Sequence, residues 1–385
     1  MSKTRYKALG LMSGTSLDGV DAAVIETDGE TVFGFGETHF RPYSKEEQDV
    51  LNAATQAALT WNFKGAPPNV FAQAETIIHQ AHIEAAQAIM SDDIDLIGFH
   101  GQTVLHRPPT ATDNGQTLQL GNGQVLASAM GVDVVYDFRS ADVQAGGQGA
   151  PLAPAYHKAM LEKSGVSLPA AVLNIGGVSN ITLVTQSGEL LATDCGPGNG
   201  PLDTWVQMCG FGAYDKDGAL ALAGVPDFAL IETWLGSAFF AKPLPKSADR
   251  WDFDVLSDLN HHSPANGAAS LVAFTAMAIA QSVAYYGESI DTLGIDTEAI
   301  DTVAINTVIV CGGGRKNPAI MAALQEQDIG KVISAEKTQW RGDDLEAEAF
   351  AYLAVRNVLG LPLSYPGTTS VDKPMCGGLL AKAQN

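Results

Sequence analysis

A short run of glycine, serine and threonine near the amino terminus has the composition of a phosphate-binding turn. Apolar residues 9–12 lead into the Ser-Gly-Thr-Ser segment 13–16, and an alternating apolar run, residues 20–26, follows it. This pattern predicts strand, turn, strand. Glycine lets backbone amides approach an anion closely, and the hydroxyls add donors. An ordinary hairpin would explain this turn if it stood alone.

Two further glycine turns follow apolar strands. Gly176 and Gly177 follow residues 170–175, and Gly312, Gly313 and Gly314 follow residues 306–310 and precede a predicted helix. A nucleotide held between two lobes requires such turns, because one hairpin from each lobe grips the phosphates and a strand–helix junction lets adenosine lie against backbone. A GxxxxGK[ST] motif is absent from the sequence, which excludes a P-loop, and no GxGxxG is completed at any of the three turns.

The segment Thr-Asp-Cys-Gly-Pro-Gly-Asn, residues 193–199, places a carboxylate beside the second hairpin. We predict that Asp194 ends a strand at the edge of a cleft and that Asn199 caps the next helix. A turn-capping role would explain Asp194 taken alone. The neighbouring phosphate turns favour a general base.

Other polar side chains are candidates for the binding of a polar ligand. His100, Gln102, Asp137, Arg139 and Asp142 are predicted at strand ends or in loops, and a structural hydrogen bond is the alternative for each. A guanidinium can hold a carboxylate in a bidentate way, so Arg139 is the most interesting of them.

Two glutamates, Glu346 and Glu348, lie early in the last predicted helix. One is expected to face solvent and the other the cleft, and Glu346 is assigned to the substrate site although the sequence does not decide between them. The histidine pairs 79/82 and 261/262 lack further ligands at suitable spacing, which argues against a zinc site. Other metal ligands are left unassigned.

Composition limits the classes of partner. The 385 residues have a net charge of −21, which opposes binding to nucleic acid or to an anionic membrane. The N-terminal apolar run is too short for a signal peptide, and no run is expected to reach membrane-spanning length. Four scattered cysteines fit reduced thiols in the cytoplasm.

The order of predicted elements indicates an α/β protein with a duplicated, two-lobed architecture. Residues 1–140 would form the lobe with the first hairpin, and residues 141–385 the lobe with the second hairpin, Asp194 and the adenosine turn. This boundary is approximate, because the C-terminal tail is free to return to the first lobe.

Several long segments together resemble the anhydro-N-acetylmuramic acid kinases of bacteria, and the resemblance extends over about residues 8–357. The segments that carry it are residues 11–21 (LMSGTSLDGVD), 99–103 (FHGQT), 137–139 (DFR), 146–152 (GGQGAPL), 174–177 (NIGG) and 194–199 (DCGPGN).

The resemblance implies the actin–hexokinase type of ATPase fold and a reaction that uses ATP and Mg²⁺. The substrate would be 1,6-anhydro-N-acetylmuramic acid, from cell-wall turnover, and the product N-acetylmuramic acid 6-phosphate. It places the catalytic base at Asp194. It also assigns ATP binding to one continuous block, namely Gly14, Thr15, Ser16, Leu17, Asp18, Gly19, Val20 and Asp21.

The chain departs from the wider superfamily at both phosphate hairpins. Leu11 and Asn174 stand where carboxylates are usual, so Asp18, Asp21 or bound waters are left as candidates to order magnesium. His100, Gln102 and Arg139 would contact the sugar, and a homodimer is expected. The alternatives are another small-molecule kinase of the same fold and a non-catalytic actin-like ATPase.

Overall fold

The computed structural model describes residues 5–110, 112–248, 252–289 and 305–383. The chain divides into two compact units, one made of residues 1–163 and 344–385 and the other of residues 164–343. The predicted boundary at residue 140 differs from this division. Residues 141–163 pack in the first unit, and so does the chain from residue 344 onward.

The first unit contains seven strands and seven α-helices among its described residues. The strands are β1 (Tyr6–Ser13), β2 (Gly19–Thr27), β3 (Val32–Pro42), β4 (Leu96–Arg107), β5 (Gln116–Leu120), β6 (Val134–Tyr136) and β12 (Leu379–Ala381). The helices are α1 (Lys45–Trp61), α2 (Val70–Ala88), α3 (Gly123–Met130), α4 (Ser140–Gln144), α5 (Pro154–Lys163), α11 (Leu345–Val358) and α12 (Pro366–Thr369).

The second unit contains five strands and five α-helices among its described residues. The strands are β7 (Ala170–Ile175), β8 (Val178–Val184), β9 (Leu190–Pro197), β10 (Thr307–Cys311) and β11 (Lys331–Ser334). The helices are α6 (Asn199–Met208), α7 (Ala219–Leu222), α8 (Phe228–Leu235), α9 (Pro264–Ser289) and α10 (Pro318–Gln325).

The two sheets repeat one topology. In the first, the order is β3-β2-β1-β4-β6, with β12 beyond β6 and β5 beside β4; in the second it is β9-β8-β7-β10-β11. The first three strands of each set are antiparallel neighbours, and the last two join in parallel. The predicted α/β class and the duplicated strand–turn–strand organisation are therefore confirmed.

Helix α11 packs directly on the first sheet, although it lies near the end of the chain. A Cβ atom on Gly10 of β1 would collide with the carbonyl of Ala347, and one on Gly98 of β4 with the carbonyl of Phe350. Gly10 and Gly98 are paired neighbours in the parallel β1–β4 ladder. Two adjacent glycines thus form the flat surface on which the backbone of α11 rests.

Some predicted boundaries were wrong. His100 and Gln102 do not follow a strand but lie within β4, because β4 continues to Arg107 and pairs there with β5. Asp194 likewise lies inside β9, which continues to Pro197 because Pro197 pairs with Val178.

The predicted cap of α6 was also wrong. Gly198 is the N-cap, and Asn199 is the first helical residue.

One helix corrects the expectation that no run reaches membrane-spanning length. Within Pro264–Tyr286 of α9, an 18-residue stretch has a mean hydropathy of 1.5, and the helix is long and apolar enough to cross a membrane. However, 67% of this stretch is buried inside the protein, and core helices of soluble proteins meet the same criterion. The helix is weak evidence for a membrane span, and its buried residues belong to the core of the second unit.

Candidate active site

The first glycine turn joins β1 to β2. It is closed by a hydrogen bond from Leu17 N to Gly14 O (3.2 Å). Thr15, Ser16 and Asp18 are exposed, so their polar groups are available to a ligand. Within the predicted ATP-binding block, the side chains of Leu17 and Val20 are instead buried in the core of the first unit.

Hydrogen bonds from buried side chains support this turn. The Ser13 hydroxyl donates to Gln102 Oε1 (2.5 Å) and lies 3.1 Å from the Tyr43 hydroxyl, while Gln102 Nε2 donates to Gly14 O (3.1 Å). Burial raises the pKa of Tyr43 to about 12. Both ends of the Gln102 amide are therefore engaged in supporting the turn.

His100 and Arg139, which were both predicted to contact the sugar, form a hydrogen-bonded pair. Arg139 Nε donates to His100 Nε2 (3.0 Å), and His100 Nδ1 lies 2.9 Å from Gly101 O. Because a guanidinium only donates, Nε2 must accept, and the ring proton is on Nδ1. Burial, helped by the charge of Arg139, holds the pKa of His100 well below its usual value, so the imidazole is neutral.

A chain of hydrogen bonds fixes the other side of Arg139. Its Nη1 donates to Gly149 O (2.7 Å), and Gly149 N donates to Asp142 Oδ1 (2.7 Å). Asp142 is buried and also accepts from the Thr369 hydroxyl. Asp142 is therefore a structural residue, and Asp137 is another, because its Oδ1 accepts from the Ser140 hydroxyl at the start of α4.

The two glutamates of α11 have different surroundings. Glu348 is fully buried and accepts a 2.5 Å hydrogen bond from the Tyr156 hydroxyl, whereas Glu346 is exposed. The assignment of Glu346 to the substrate stays a prediction, and Glu348 has a structural bond within the first unit.

The second glycine turn is held by backbone groups. Gly198 N and Gly200 N donate to Gly177 O (3.0 and 3.2 Å), and Asn199 N donates to Gly176 O (2.7 Å). The amino-terminal N–H groups of α6 therefore bind the carbonyls of the turn. A Cβ on Gly198 would collide with Gly176 O, so this close approach requires glycine.

The third glycine turn lies against Asn199, the first residue of α6. Gly312 has a φ of +73°, and a Cβ on Gly313 would lie 3.2 Å from Asn199 Nδ2. A Cβ on Gly314 would lie 3.1 Å from Asn199 Oδ1. Residues 176–177, 198–200 and 312–314 thus form one group, here called the glycine cluster.

Arg315 anchors the third turn. Its Nη1 donates to Gly312 O (2.8 Å), and its guanidinium pairs with Glu336 (2.6 Å) and Asp343 (3.1 Å). The side chain is 3% exposed, so the planar fork holds a fixed position between these partners.

Asp194 lies in β9, the edge strand of the second sheet. Asn180 pairs with Asp194 and Ser179 with Gly196, so Cys195 is the extra residue of a β-bulge. Bulges often redirect a side chain at functional sites. The residue is 8% exposed, and its Oδ2 accepts a hydrogen bond from Ala248 N (2.8 Å).

Cys195 does not compete as a nucleophile. Burial raises the pKa of its thiol to about 12, so it stays protonated at neutral pH.

The family model for anhydro-N-acetylmuramic acid kinase matches residues 6–382. The chain belongs to the anhydro-N-acetylmuramic acid kinase family. A protein of that name from Caulobacter vibrioides is 47% identical over 97% of this chain and 98% of its own length. Another from Phenylobacterium zucineum is 44% identical over 98% of this chain and 100% of its own. The resemblance found in the sequence is thereby confirmed.

Membership of the anhydro-N-acetylmuramic acid kinase family carries the actin–hexokinase type of ATPase fold, and the repeated sheet order agrees with it. Among solved structures, a ROK family glucokinase from Streptomyces griseus in complex with glucose and AMPPNP is 11% identical over 90% of this chain and 99% of that chain, with a TM-score of 0.37. That likeness is too distant to argue from.

Sequence reasoning missed several groups of this family member's site. Tyr43 supports the first turn through Ser13, and Ala248 binds the Asp194 carboxylate, but these contacts span 30 and 54 positions of the chain. The backbone of Lys246 binds Asp194 N, while its side chain is directed to Phe239 O (3.2 Å), is 7% exposed, and has a pKa that burial lowers to about 8. No local motif signals any of these contacts.

Proposed function

We propose that the chain transfers the γ-phosphoryl group of ATP to O6 of 1,6-anhydro-N-acetylmuramic acid while water opens the anhydro ring. The products are N-acetylmuramic acid 6-phosphate and ADP, in peptidoglycan recycling and amino-sugar catabolism. The observation that carries the proposal is Asp194, a largely buried carboxylate on a bulged strand with one oxygen held by a backbone amide. It occurs in a chain matched along almost its whole length by relatives named for this activity.

The proposed chemistry follows from the substrate. Its O6 is tied to the anomeric carbon in an internal ether and has no proton to lose. Asp194 takes a proton from water as the water oxygen bonds to the anomeric carbon. The bond from the anomeric carbon to O6 breaks, and its electron pair forms the new bond from O6 to the γ-phosphorus. The bond from the γ-phosphorus to the bridging oxygen breaks, and ADP leaves.

The turns supply the proposed nucleotide contacts. Thr15, Ser16 and Asp18 are exposed at the first turn. A Cβ atom added to Gly177 would meet no other atom within 4 Å, so there is room for a phosphate to approach the second turn. The third turn is proposed to contact adenosine. Preorganised backbone donors of this kind stabilise charge that develops on a phosphoryl group.

In the first unit, Arg139 is proposed to hold the lactyl carboxylate of the sugar. Neutral His100 fixes the orientation of the guanidinium, because its Nε2 accepts from Arg139 Nε. Since both ends of the Gln102 amide bind the first turn, we place Gln102 as a support of that turn rather than as a contact of the sugar. Glu346 is kept as a candidate sugar contact.

The donor set fits a magnesium ion held mostly by phosphates and water. Among the described residues, no group of three or more His, Cys, Asp or Glu side chains is arranged to hold a metal. Mg²⁺ commonly keeps several waters and uses only one or two carboxylates beside substrate phosphates. The exposed Asp18 is the proposed carboxylate, and the ion would offset phosphate charge.

The proposed setting is a cytoplasmic homodimer that binds neither nucleic acid nor membrane. The charge of −21 supports the lack of binding to nucleic acid and to anionic membrane, because both of those partners require a basic surface. Another kinase of the same fold, or a non-catalytic actin-like ATPase, is disfavoured by the full-length match to relatives of a single name.

The Asp194→Asn variant tests the base. Turnover should fall by about 10²–10⁴-fold, the usual contribution of general-base catalysis, while ATP binding measured by calorimetry stays close to that of the wild type. A variant that keeps about a tenth or more of wild-type turnover would contradict the role of Asp194 as the base.

The reaction in ¹⁸O-labelled water tests the bond changes. The label should appear in the anomeric hydroxyl with inverted configuration and not in the phosphate ester, because one activated water attacks from the face opposite the ether. Label in the phosphate would indicate ATP hydrolysis. Initial retention would require a covalent intermediate and a nucleophilic role for Asp194.

A further inference from the structure

The segment 246–248 lies along the open edge of β9. Asp194 N donates to Lys246 O (3.0 Å), as a neighbouring strand would allow, and Ala248 N donates to Asp194 Oδ2 (2.8 Å). The segment therefore contacts both the backbone of Asp194 and its carboxylate. Its position decides where Oδ2 is held.

The hydroxyl of Thr193 joins this segment to the strand. Thr193 Oγ1 accepts from Lys246 N (3.0 Å) and lies within donating distance of Lys246 O (3.2 Å) and Asp194 O (3.1 Å). Thr193 is fully buried. A buried hydroxyl that satisfies a backbone donor and a backbone acceptor is costly to remove, because both groups then lose a partner where water cannot replace it.

A β-bulge directly follows Asp194 in β9. Because Cys195 is the extra residue between two pairs of the β8–β9 ladder, the ladder is interrupted directly after Asp194. On that side the regular pairing of β9 does not fix the residue that follows Asp194. The segment 246–248 contacts β9 along its open edge, at Thr193 and Asp194.

We infer that Thr193 is a positioning residue for the reaction: its hydroxyl fixes the segment 246–248, whose Ala248 amide in turn fixes the Asp194 carboxylate in the orientation that accepts the proton of water. The inference rests on the proposed function, since it requires Asp194 to be the base. Thr193 acts through Asp194 and does not touch the substrate in this scheme.

The test compares two substitutions at Thr193. Thr193→Val keeps the shape of the side chain but removes the hydroxyl, whereas Thr193→Ser keeps the hydroxyl. Steady-state kinetics with ATP and the anhydro-sugar should show that Thr193→Val lowers kcat by about 10–100-fold, since a misplacement of about 1 Å can cost about 100-fold. Both KM values should change by less than about threefold, and Thr193→Ser should restore kcat to within about threefold of the wild type.

Ser270→Ala is the matched control for the loss of a buried hydroxyl. Ser270 Oγ accepts from Asp227 N (2.9 Å) and donates to Asn266 O (2.8 Å), so it also joins two backbone groups in the second unit. It should lower thermal stability without lowering kcat. An equal fall in kcat in Ser270→Ala and Thr193→Val would overturn the inference, because general destabilisation would then explain both.

Ala248→Pro tests the same hydrogen bond directly and does not depend on the folding of Thr193→Val. Proline removes the N–H that binds Asp194 Oδ2, and Ala248→Gly is its control because glycine keeps that N–H. Ala248→Pro should show the same loss of kcat, and combining it with Thr193→Val should add little, since both act through one bond. An unchanged kcat in Ala248→Pro or Thr193→Val overturns the inference.

Asp194→Asn, measured beside these variants, separates the two proposals. If Asp194→Asn is inactive but Thr193→Val is fully active, only the positioning role fails. If Asp194→Asn is active, the base assignment fails, and the positioning role fails with it.

Discussion

The two units build the same hairpin turn with different supports. In the first unit, the turn after β1 is held by side chains, since Gln102 and Ser13 bind each other and Gln102 also binds Gly14 O. In the second unit, the turn after β7 is held by backbone N–H groups of residues 198–200. The difference teaches that one strand–turn–strand topology leaves the choice of support open.

The two units also differ in how deeply their histidines are buried. In the first unit His82, His100 and His157 are buried, with exposed fractions of 0%, 3% and 4%. Burial lowers the pKa of His82 to about 4 and of His157 to about 3, and that of His100 lies well below its usual value. The histidines of the second unit are His261 and His262, which are exposed and half-buried.

Acid should lower the stability of the first unit more than that of the second, and this is the largest difference expected between them. Because the buried histidines have lowered pKa values, the unfolded first unit binds more protons below pH 6.5 than the folded one. Its stability is complete above that pH and is lost as the pH falls towards 4, at about 1.4 kcal/mol per pH unit for each histidine that stays neutral in the folded unit. Hydrogen exchange corrected for intrinsic rates should show this loss in peptides of the first unit.

His261→Gln serves as the control, since this histidine is exposed and in the second unit. It should leave the acid sensitivity unchanged, whereas His82→Phe should reduce it by about one proton's contribution, about 1.4 kcal/mol per pH unit. Equal acid sensitivity of exchange in both units would show that the buried histidines do not determine it.

Glycine substitutions should separate packing from ligand binding in the second unit. Gly198→Ala should destabilise that unit by about 3 kcal/mol, because its Cβ would collide with the carbonyl of Gly176 and the backbone must move. Gly177→Ala meets nothing within 4 Å, so its stability should stay within about 0.5 kcal/mol of the wild type.

The predicted phosphate role gives Gly177→Ala a different effect. Its methyl group would occupy space at the tip of the turn, so ATP affinity measured by calorimetry should fall by about tenfold, about 1.4 kcal/mol. Unchanged ATP affinity in a folded Gly177→Ala variant would remove this turn from the phosphate site.

Substitution of the side chains that support the first turn should lower stability by less than Gly198→Ala does. Gln102→Leu should cost about 2 kcal/mol, because it removes both the acceptor of the Ser13 hydroxyl and the side-chain donor to Gly14 O. Tyr43→Phe removes only one hydroxyl beside Ser13 and should cost about 1 kcal/mol. Urea unfolding measures both, and a larger cost for Tyr43→Phe than for Gln102→Leu would reverse the assigned order of support.

The sequence predicted the local features well. Strand β7 and helix α6 have the predicted bounds, because a short apolar run and the glycine-rich segment before residue 199 are local signals. It failed where distant residues decide the structure. The extension of β4 past Phe99 depends on pairing with β5, and the first unit ends with a segment from beyond residue 343.

The candidate site follows the same division. The sequence predicted Asp194 and the three glycine turns as parts of the site, because each stands in an unusual short segment. It could not identify Ala248, whose backbone amide binds the Asp194 carboxylate, since any residue except proline has that donor. The pairing of His100 with Arg139 likewise depends on a contact across 39 positions, although both residues were predicted to be in the site.

The resting place of α11 on Gly10 and Gly98 has a consequence for the order in which a growing chain can fold. Residues 164–343 are contiguous, so the second unit is fully synthesised before α11 leaves the ribosome. The first unit begins earlier but lacks α11 until then, and the two strands that carry Gly10 and Gly98 stay uncovered. Synthesis therefore starts the first unit first and completes it last.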